Sequence, residues 1–212
     1  MPGPISSSLL HPALFPGLFV CVLASAFLVL PGPSAPSAYA AVETELDSGI
    51  DLSRTNRPFS EWLLAAKNGS AMAQFMVARH YEEGKDVARN YKKAATWYDK
   101  AAKQGHLDSA TFLALMYLEG RGVKRNPEKG LKMIYQSAER GNIRARYHLG
   151  RLYSRGIHVT ADRVEAYKWF LLAAYVPRTP ESFKAKEKME SLKKVLSGEE
   201  IAMATQRAKQ LQ

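Results

Sequence analysis

The sequence predicts an all-α protein made of stacked antiparallel helix pairs, and three observations predict it. One pattern recurs at an interval of 36 residues, which aligns Gly69, Gly105 and Gly141, then Tyr81, Tyr117 and Tyr153, then Gly84, Gly120 and Gly156. Val87, Val123 and Val159 share that register, as do Ala102, Ala138 and Ala174. A fixed period of about 20 to 50 residues marks a stacked-repeat architecture, in which each unit buries its apolar face only against its neighbours. Between the glycines, apolar residues fall at spacings of three and four, the stripe of an amphipathic helix. The glycines, with Asn and Asp at potential N-caps, supply the stops and starts.

The chain divides in order as follows. Residues 1–40 have the layout of a secretory signal peptide: Gly17 to Leu30 is uncharged and apolar, Pro31 closes it, and Ala38-Tyr39-Ala40 offers an A-x-A cleavage site. The leader carries no Lys or Arg, so an uncleaved membrane anchor is the alternative, although the apolar run is short of the roughly 20 residues that a stable transmembrane span requires. Residues 41–57 form an acidic lead-in without a helical stripe. Residues 58–177 form the repeat array, with a half unit over 58–70 and full units over 71–106, 107–142 and 143–177. Residues 178–212 supply C-terminal capping helices that seal the end of the stack.

Each helix has its own warrant. Ser60 is the expected N-cap of the half-unit helix, which carries Trp62, Leu63, Ala65 and Ala66 and stops at Asn68-Gly69. In unit one, Ala73, Val77, Ala78 and Tyr81 make the first stripe and Gly84 closes it in a left-handed cap. Asn90 then caps a second helix with Ala94, Trp97, Tyr98, Ala101 and Ala102. Unit two places Pro127 after Asn126, which suits a first helical turn, but its Gly130, Met133 and Ile134 predict looser packing. Unit three restores Trp169 and Phe170 with Asp162 as cap, and Pro177 replaces the terminal glycine. Alanines let paired helices approach while Tyr and Trp fill the gaps, so Tyr117→Ala or Trp169→Ala costs about 3–5 kcal/mol if the side chain is fully buried. In the tail, Thr179-Pro180 opens a helix with Phe183, Met189, Leu192 and Leu196, and Ser197 with Glu200 forms a capping box for a last helix with Ile201, Ala204, Ala208 and Leu211.

These residues resemble a known family. Ser109, Leu113, Ala114, Tyr117, Gly120, Gly122 and Val123, together with Asn90, Lys93, Ala94, Trp97, Tyr98, Ala101, Ala102 and Gly105, match the string of Sel-1-like repeats, relatives of the tetratricopeptide repeat. The likeness covers about residues 59–177, with Asp86 and His158 in place of the second loop glycine. It implies a right-handed superhelical solenoid that works as an adaptor, commonly in bacterial export and envelope signalling or in the regulation of secreted polysaccharide.

Charge and composition narrow the function. The 212-residue chain has 30 Lys and Arg against 20 Asp and Glu. All the basic residues lie from Arg54 onward, whereas Glu43, Glu45, Asp47 and Asp51 precede it, so the array is more basic than the chain as a whole. The sole cysteine, Cys21, lies in the leader, which leaves the mature chain without a disulfide framework or thiolate metal site. No G-x-S-x-G or H-E-x-x-H string occurs, and His80, His106, His148 and His158 are scattered at repeat positions. The reading is therefore a non-enzymatic scaffold without cofactor or metal, and a hydrolase is the least supported class.

Tetratricopeptide geometry, which these repeats resemble, implies that the first helix of each pair lines a concave groove. Those positions are Met72, Phe75, Met76, Arg79 and Glu83 in unit one, and Asp108, Thr111, Phe112, Leu115, Leu118 and Glu119 in unit two. Unit three contributes Arg144, Tyr147, His148, Arg151 and Arg155, so the groove is expected to run from apolar to basic. It suits a protein or peptide partner with apolar anchors followed by an acidic segment. The alternative partner is an anionic glycan or lipid held on basic stretches such as Lys92-Lys93, Arg121 to Arg125 and Lys184 to Lys194. Nucleic acid is disfavoured, because an exported protein seldom meets it and no reading module is present.

Overall fold

A computed structural model describes residues 57–175 and 179–211. The leader, most of the acidic lead-in and Pro177 lie outside the described residues. Among the described residues there are nine helices and no strand: α1 (Phe59–Lys67), α2 (Ala71–Glu83), α3 (Tyr91–Lys103), α4 (Leu107–Glu119), α5 (Pro127–Glu139), α6 (Ile143–Arg155), α7 (Arg163–Ala174), α8 (Pro180–Lys193) and α9 (Gly198–Lys209). Helices α2–α3, α4–α5 and α6–α7 pack as pairs, and each pair packs on the next through α3–α4 and α5–α6. Helix α1 covers α2 at one end, while α8 lies on α7 and α6 and α9 lies on α7 at the other. The result is a solenoid of helix pairs. No helix among the described residues is long and apolar enough to cross a membrane.

Local chemistry sets the helix ends. Asn90, Asn126 and Asp162 each accept the amide three residues on at 2.9 Å, which satisfies one of the donors that a helix start leaves unpaired. A second column of caps opens the first helices, at Ser70, His106 and Asn142. The half-unit helix departs from expectation: Pro58 stands at its N-cap without a side-chain cap bond, and Ser60 lies inside the first turn, because proline already fixes the φ that the turn needs. Thr179 with Ser182 and Ser197 with Glu200 form reciprocal capping boxes at the two tail helices.

The first helices close on Gly84, Gly120 and Gly156 at φ of 74°, 76° and 66°. Two residues later the chain again adopts positive φ, at Asp86 (62°), Gly122 (69°) and His158 (63°). The replacements therefore keep the loop shape, since Asp and His enter this region more readily than most side chains. Gly122 has a further reason to be glycine: a Cβ there would lie 2.3 Å from the Tyr91 carbonyl carbon of the preceding unit.

The core follows the stripes in most places. Trp62, Ala66, Ala73 and Val77 form one cluster, and Ala78, Ala94, Tyr98, Leu113 and Met116 form the next. Unit two is tighter than its sequence suggests. A Cβ on Gly130 would lie 2.8 Å from the Ala114 carbonyl oxygen, so glycine brings α5 closer to α4 than alanine would allow. Tyr117 is only half-buried and its hydroxyl accepts from Lys129 Nζ at 2.7 Å, so it does not meet the condition of full burial on which the truncation cost rested. Phe183 is 62% exposed, because α8 turns Ser182, Ala185 and Met189 inward instead.

Candidate functional site

The first helices α2, α4 and α6 present the face on which the proposed groove residues were placed. Met72 is 45% exposed, and Phe75, Met76, Arg79, Asp108 and Phe112 are half-buried. Thr111, Leu115 and Leu118 are buried, so most of their surface belongs to the core rather than to an open groove. Helix α4 is apolar nearly all round, and its neighbours on both sides decide which of its residues they cover. In unit three Arg144, Tyr147, His148 and Arg151 are half-buried and Arg155 is exposed. Tyr147 packs into a cluster with Phe170 and with Ala185 and Met189 of the tail helix α8.

Two depressions open on this face. The one nearer the N-terminal end, about 370 Å³, is lined by Arg79, Glu82, Glu83, Arg89, Tyr91, Phe112 and Arg121. Most of its charges are matched: Arg79 pairs with Glu83, and Arg121 reaches Glu82 at 3.1 Å and Glu119 at 2.5 Å, while Arg89 donates to the Glu83 carbonyl oxygen at 3.3 Å. Tyr98 donates to Glu82 at 2.6 Å, and burial followed by the Glu82 charge raises the phenol above its ordinary range. The Phe112 ring stacks on Tyr98 with centroids 5.3 Å apart, and the guanidiniums of Arg79 and Arg144 each lie 5.0 Å from its centroid. Aromatic rings take cations on their negative faces, which holds both arginines against Phe112.

The second depression, about 130 Å³, lies between units two and three. Leu115, Leu118, Leu152 and Ile157 give it aliphatic walls, and Glu119, His148, Arg151, Arg155 and His158 give it polar ones. His148 is lowered to about 4, first by burial and then by the charges of Arg151, Arg144 and Lys184. Its imidazole is therefore neutral at physiological pH, and the positive potential comes from the arginines and lysine.

The expected gradient from apolar to basic is thus altered at Arg144, which pairs with Asp108 at 3.5 Å and with Glu181 of α8. Register missed Glu82, Arg121, Ile157 and Lys184. Arg121 and Lys184 were legible only as parts of basic stretches, and two glutamate partners remove Arg121 from any free cationic patch. Two histidines take structural places instead: His80 is buried with Nδ1 3.0 Å from the Lys85 carbonyl oxygen, and His106 Nδ1 accepts from the Ser109 amide at 3.2 Å. Among the described residues no group of three His, Cys, Asp or Glu side chains is placed to hold a metal ion.

The Sel1 repeat pattern matches residues 71–106, 107–142 and 143–175, the three helix pairs just described. The chain belongs to the Sel1 repeat family. Among solved structures it is similar to a Sel1 repeat protein from Oxalobacter formigenes at 32% identity, over 55% of this chain and 48% of that one, with a TM-score of 0.47. It is also similar to a protective antigen of uropathogenic Escherichia coli with an SLR fold, at 21% identity over 82% of this chain and 45% of that one, with a TM-score of 0.47. The chain spans about half the length of these solved relatives. No curated protein matches it. Within the Sel1 array, residue columns 36 apart are the same structural position in each unit.

Proposed function

We propose that this Sel1-repeat chain is an exported, non-enzymatic scaffold that binds an extended segment of a protein partner along the face of α2, α4 and α6, as an adaptor or regulator in the bacterial envelope. The observation that supports this reading is the pair of depressions lined by first-helix residues, with Phe112 of the first held between the guanidiniums of Arg79 and Arg144. Rigid aromatic and arginine anchors are the residues that dominate protein recognition, because they bury large area with little entropy loss. Export rests on the apolar run Gly17 to Leu30 and the Ala38-Tyr39-Ala40 site. N-terminal sequencing of the mature protein tests it, and the expected first residue is Ala41.

The binding reading is tested by a photo-crosslinking residue introduced at Met72 or Phe112 and, as the control, at exposed Lys132 on α5. The first-helix positions are expected to capture a defined protein that the control does not. Equal capture from both faces sinks the groove. A second reading, binding of an anionic glycan or lipid, is favoured by α8, which exposes Lys184, Lys186 and Lys188 beside Phe183. Such binding falls steeply with salt, whereas groove binding keeps its apolar part.

A further inference from the structure

The repeat supplies its own control at the second depression. Arg79, Leu115 and Arg151 occupy one column of the first helices, and Glu83, Glu119 and Arg155 occupy the column one turn later. In unit one the two positions neutralise each other, since Arg79 pairs with Glu83. In unit two Glu119 holds Arg121 at 2.5 Å. Unit three replaces the glutamate with Arg155, which sets two guanidiniums four residues apart on one helix face, where like charges repel. Among the described residues neither Arg151 nor Arg155 has an ion-pair partner, whereas Arg79, Arg121 and Arg144 on the same face all do.

An anion between Arg151 and Arg155 relieves that repulsion, and the surroundings say what else the ligand carries. Leu115, Leu118, Leu152 and Ile157 form the aliphatic part of an open depression of about 130 Å³, room for one branched aliphatic side chain and too little for an acyl tail. Aliphatic walls without an aromatic platform do not suit a sugar ring. We infer that this depression is the specificity subsite of the groove and takes one Leu, Ile or Val side chain of the partner together with the carboxylate of an adjacent Asp or Glu, held between Arg151 and Arg155. The inference rests on the groove reading above. Glu119 and His158 from the cavity wall, Arg144 from the same helix and Lys184 from α8 complete the charged surroundings of His148.

His148 makes the subsite observable, because a carboxylate beside it stabilises the imidazolium and moves its titration upward from about 4. The experiment follows the His148 side chain by NMR in the full-length protein while N-acetyl-Leu-Glu-amide is added, with N-acetyl-Leu-Gln-amide as the uncharged control. A saturable upward shift with the glutamate probe alone is expected. Arg155→Glu recreates the Arg79–Glu83 arrangement, so it is expected to leave thermal stability equal or higher while weakening the probe about ten-fold or more. No saturable shift, or an unchanged affinity in Arg155→Glu, overturns the inference. Equal shifts with inorganic phosphate or phosphatidylglycerol vesicles overturn it in favour of a phosphate ligand. Replacing Glu43, Glu45, Asp47 and Asp51 by Gln is expected to leave His148 of the unliganded protein unchanged, and a change would make the chain's own lead-in the occupant. Crosslinking at Phe112 separates the two readings: capture that survives Arg155→Glu undiminished removes the subsite and keeps the groove, whereas no capture in the unaltered protein removes the groove itself.

Discussion

Unit one and unit three put different side chains on one backbone frame. Both close the first helix with glycine at positive φ, Gly84 and Gly156, and both cap the second with an Asx side chain at 2.9 Å, Asn90 and Asp162. The tryptophan of the second helix nevertheless has two fates. Trp97 is half-buried at the edge of two clusters, with Lys100 4.3 Å from its ring centroid, whereas Trp169 is 2% exposed in a cluster that α9 closes with Ala208. Equal register fixes direction, and the neighbouring element fixes burial. The end of the array that receives two extra helices has the deeper core.

The largest test of that difference is truncation of the two tryptophans. Trp169→Ala is expected to cost about 3–5 kcal/mol in urea unfolding, and Trp97→Ala less, because less of its ring leaves water on folding. Equal costs would mean that α9 adds no cover.

The next test is titration. His148 has no histidine counterpart in the other units, where Met76 of unit one and Phe112 of unit two share its column. With the folded group lowered to about 4 and the unfolded group near its ordinary 6.5, the unfolded chain binds the extra proton between those values. Stability from this residue is therefore complete above pH 6.5 and is lost as pH falls towards 4, by up to about 3 kcal/mol before solvent screening. In His148→Gln the slope of stability against pH over that window is expected to flatten, as measured by thermal unfolding at several pH values. An unchanged slope would place the acid sensitivity elsewhere.

The smallest test concerns the helix-pair contact. Ala78 and Gly150 share a column, but a Cβ on Gly150 would lie 2.6 Å from the Phe170 ring, so unit three uses glycine to seat a buried phenylalanine. Gly150→Ala is expected to destabilise by about 1–3 kcal/mol in spite of the better helix propensity of alanine. Ala78→Gly, by contrast, loses helix propensity and one buried methyl group and is expected to cost about 2 kcal/mol. A Gly150→Ala protein that is more stable would show that Phe170 moves aside freely.

Much of this was legible before any coordinates. The period, the Asx caps, the glycine stops and the capping box at Ser197 are local signals, set by chemistry within a few residues of the chain. The candidate site was less legible. Helix α4 reads apolar on every side, so its period could not say that Leu115 and Leu118 turn mostly into the core. Arg144 reads as a groove cation until α8 brings Glu181 to it across 37 residues. Phe183 reads as core until Ser182, Ala185 and Met189 take the inward face.

The sequence by itself determined that the chain is a run of helical hairpins and where each begins and ends, because caps, glycines and stripes act over one or two turns. Tertiary structure alone decided which first-helix residues reach solvent and which charges are left unmatched, because both depend on elements that arrive from distant parts of the chain. Arg155 shows the division. Its place on the helix is written in the register, whereas its lack of an ion-pair partner, shared with Arg151, emerges only once Arg79, Arg121 and Arg144 have found theirs.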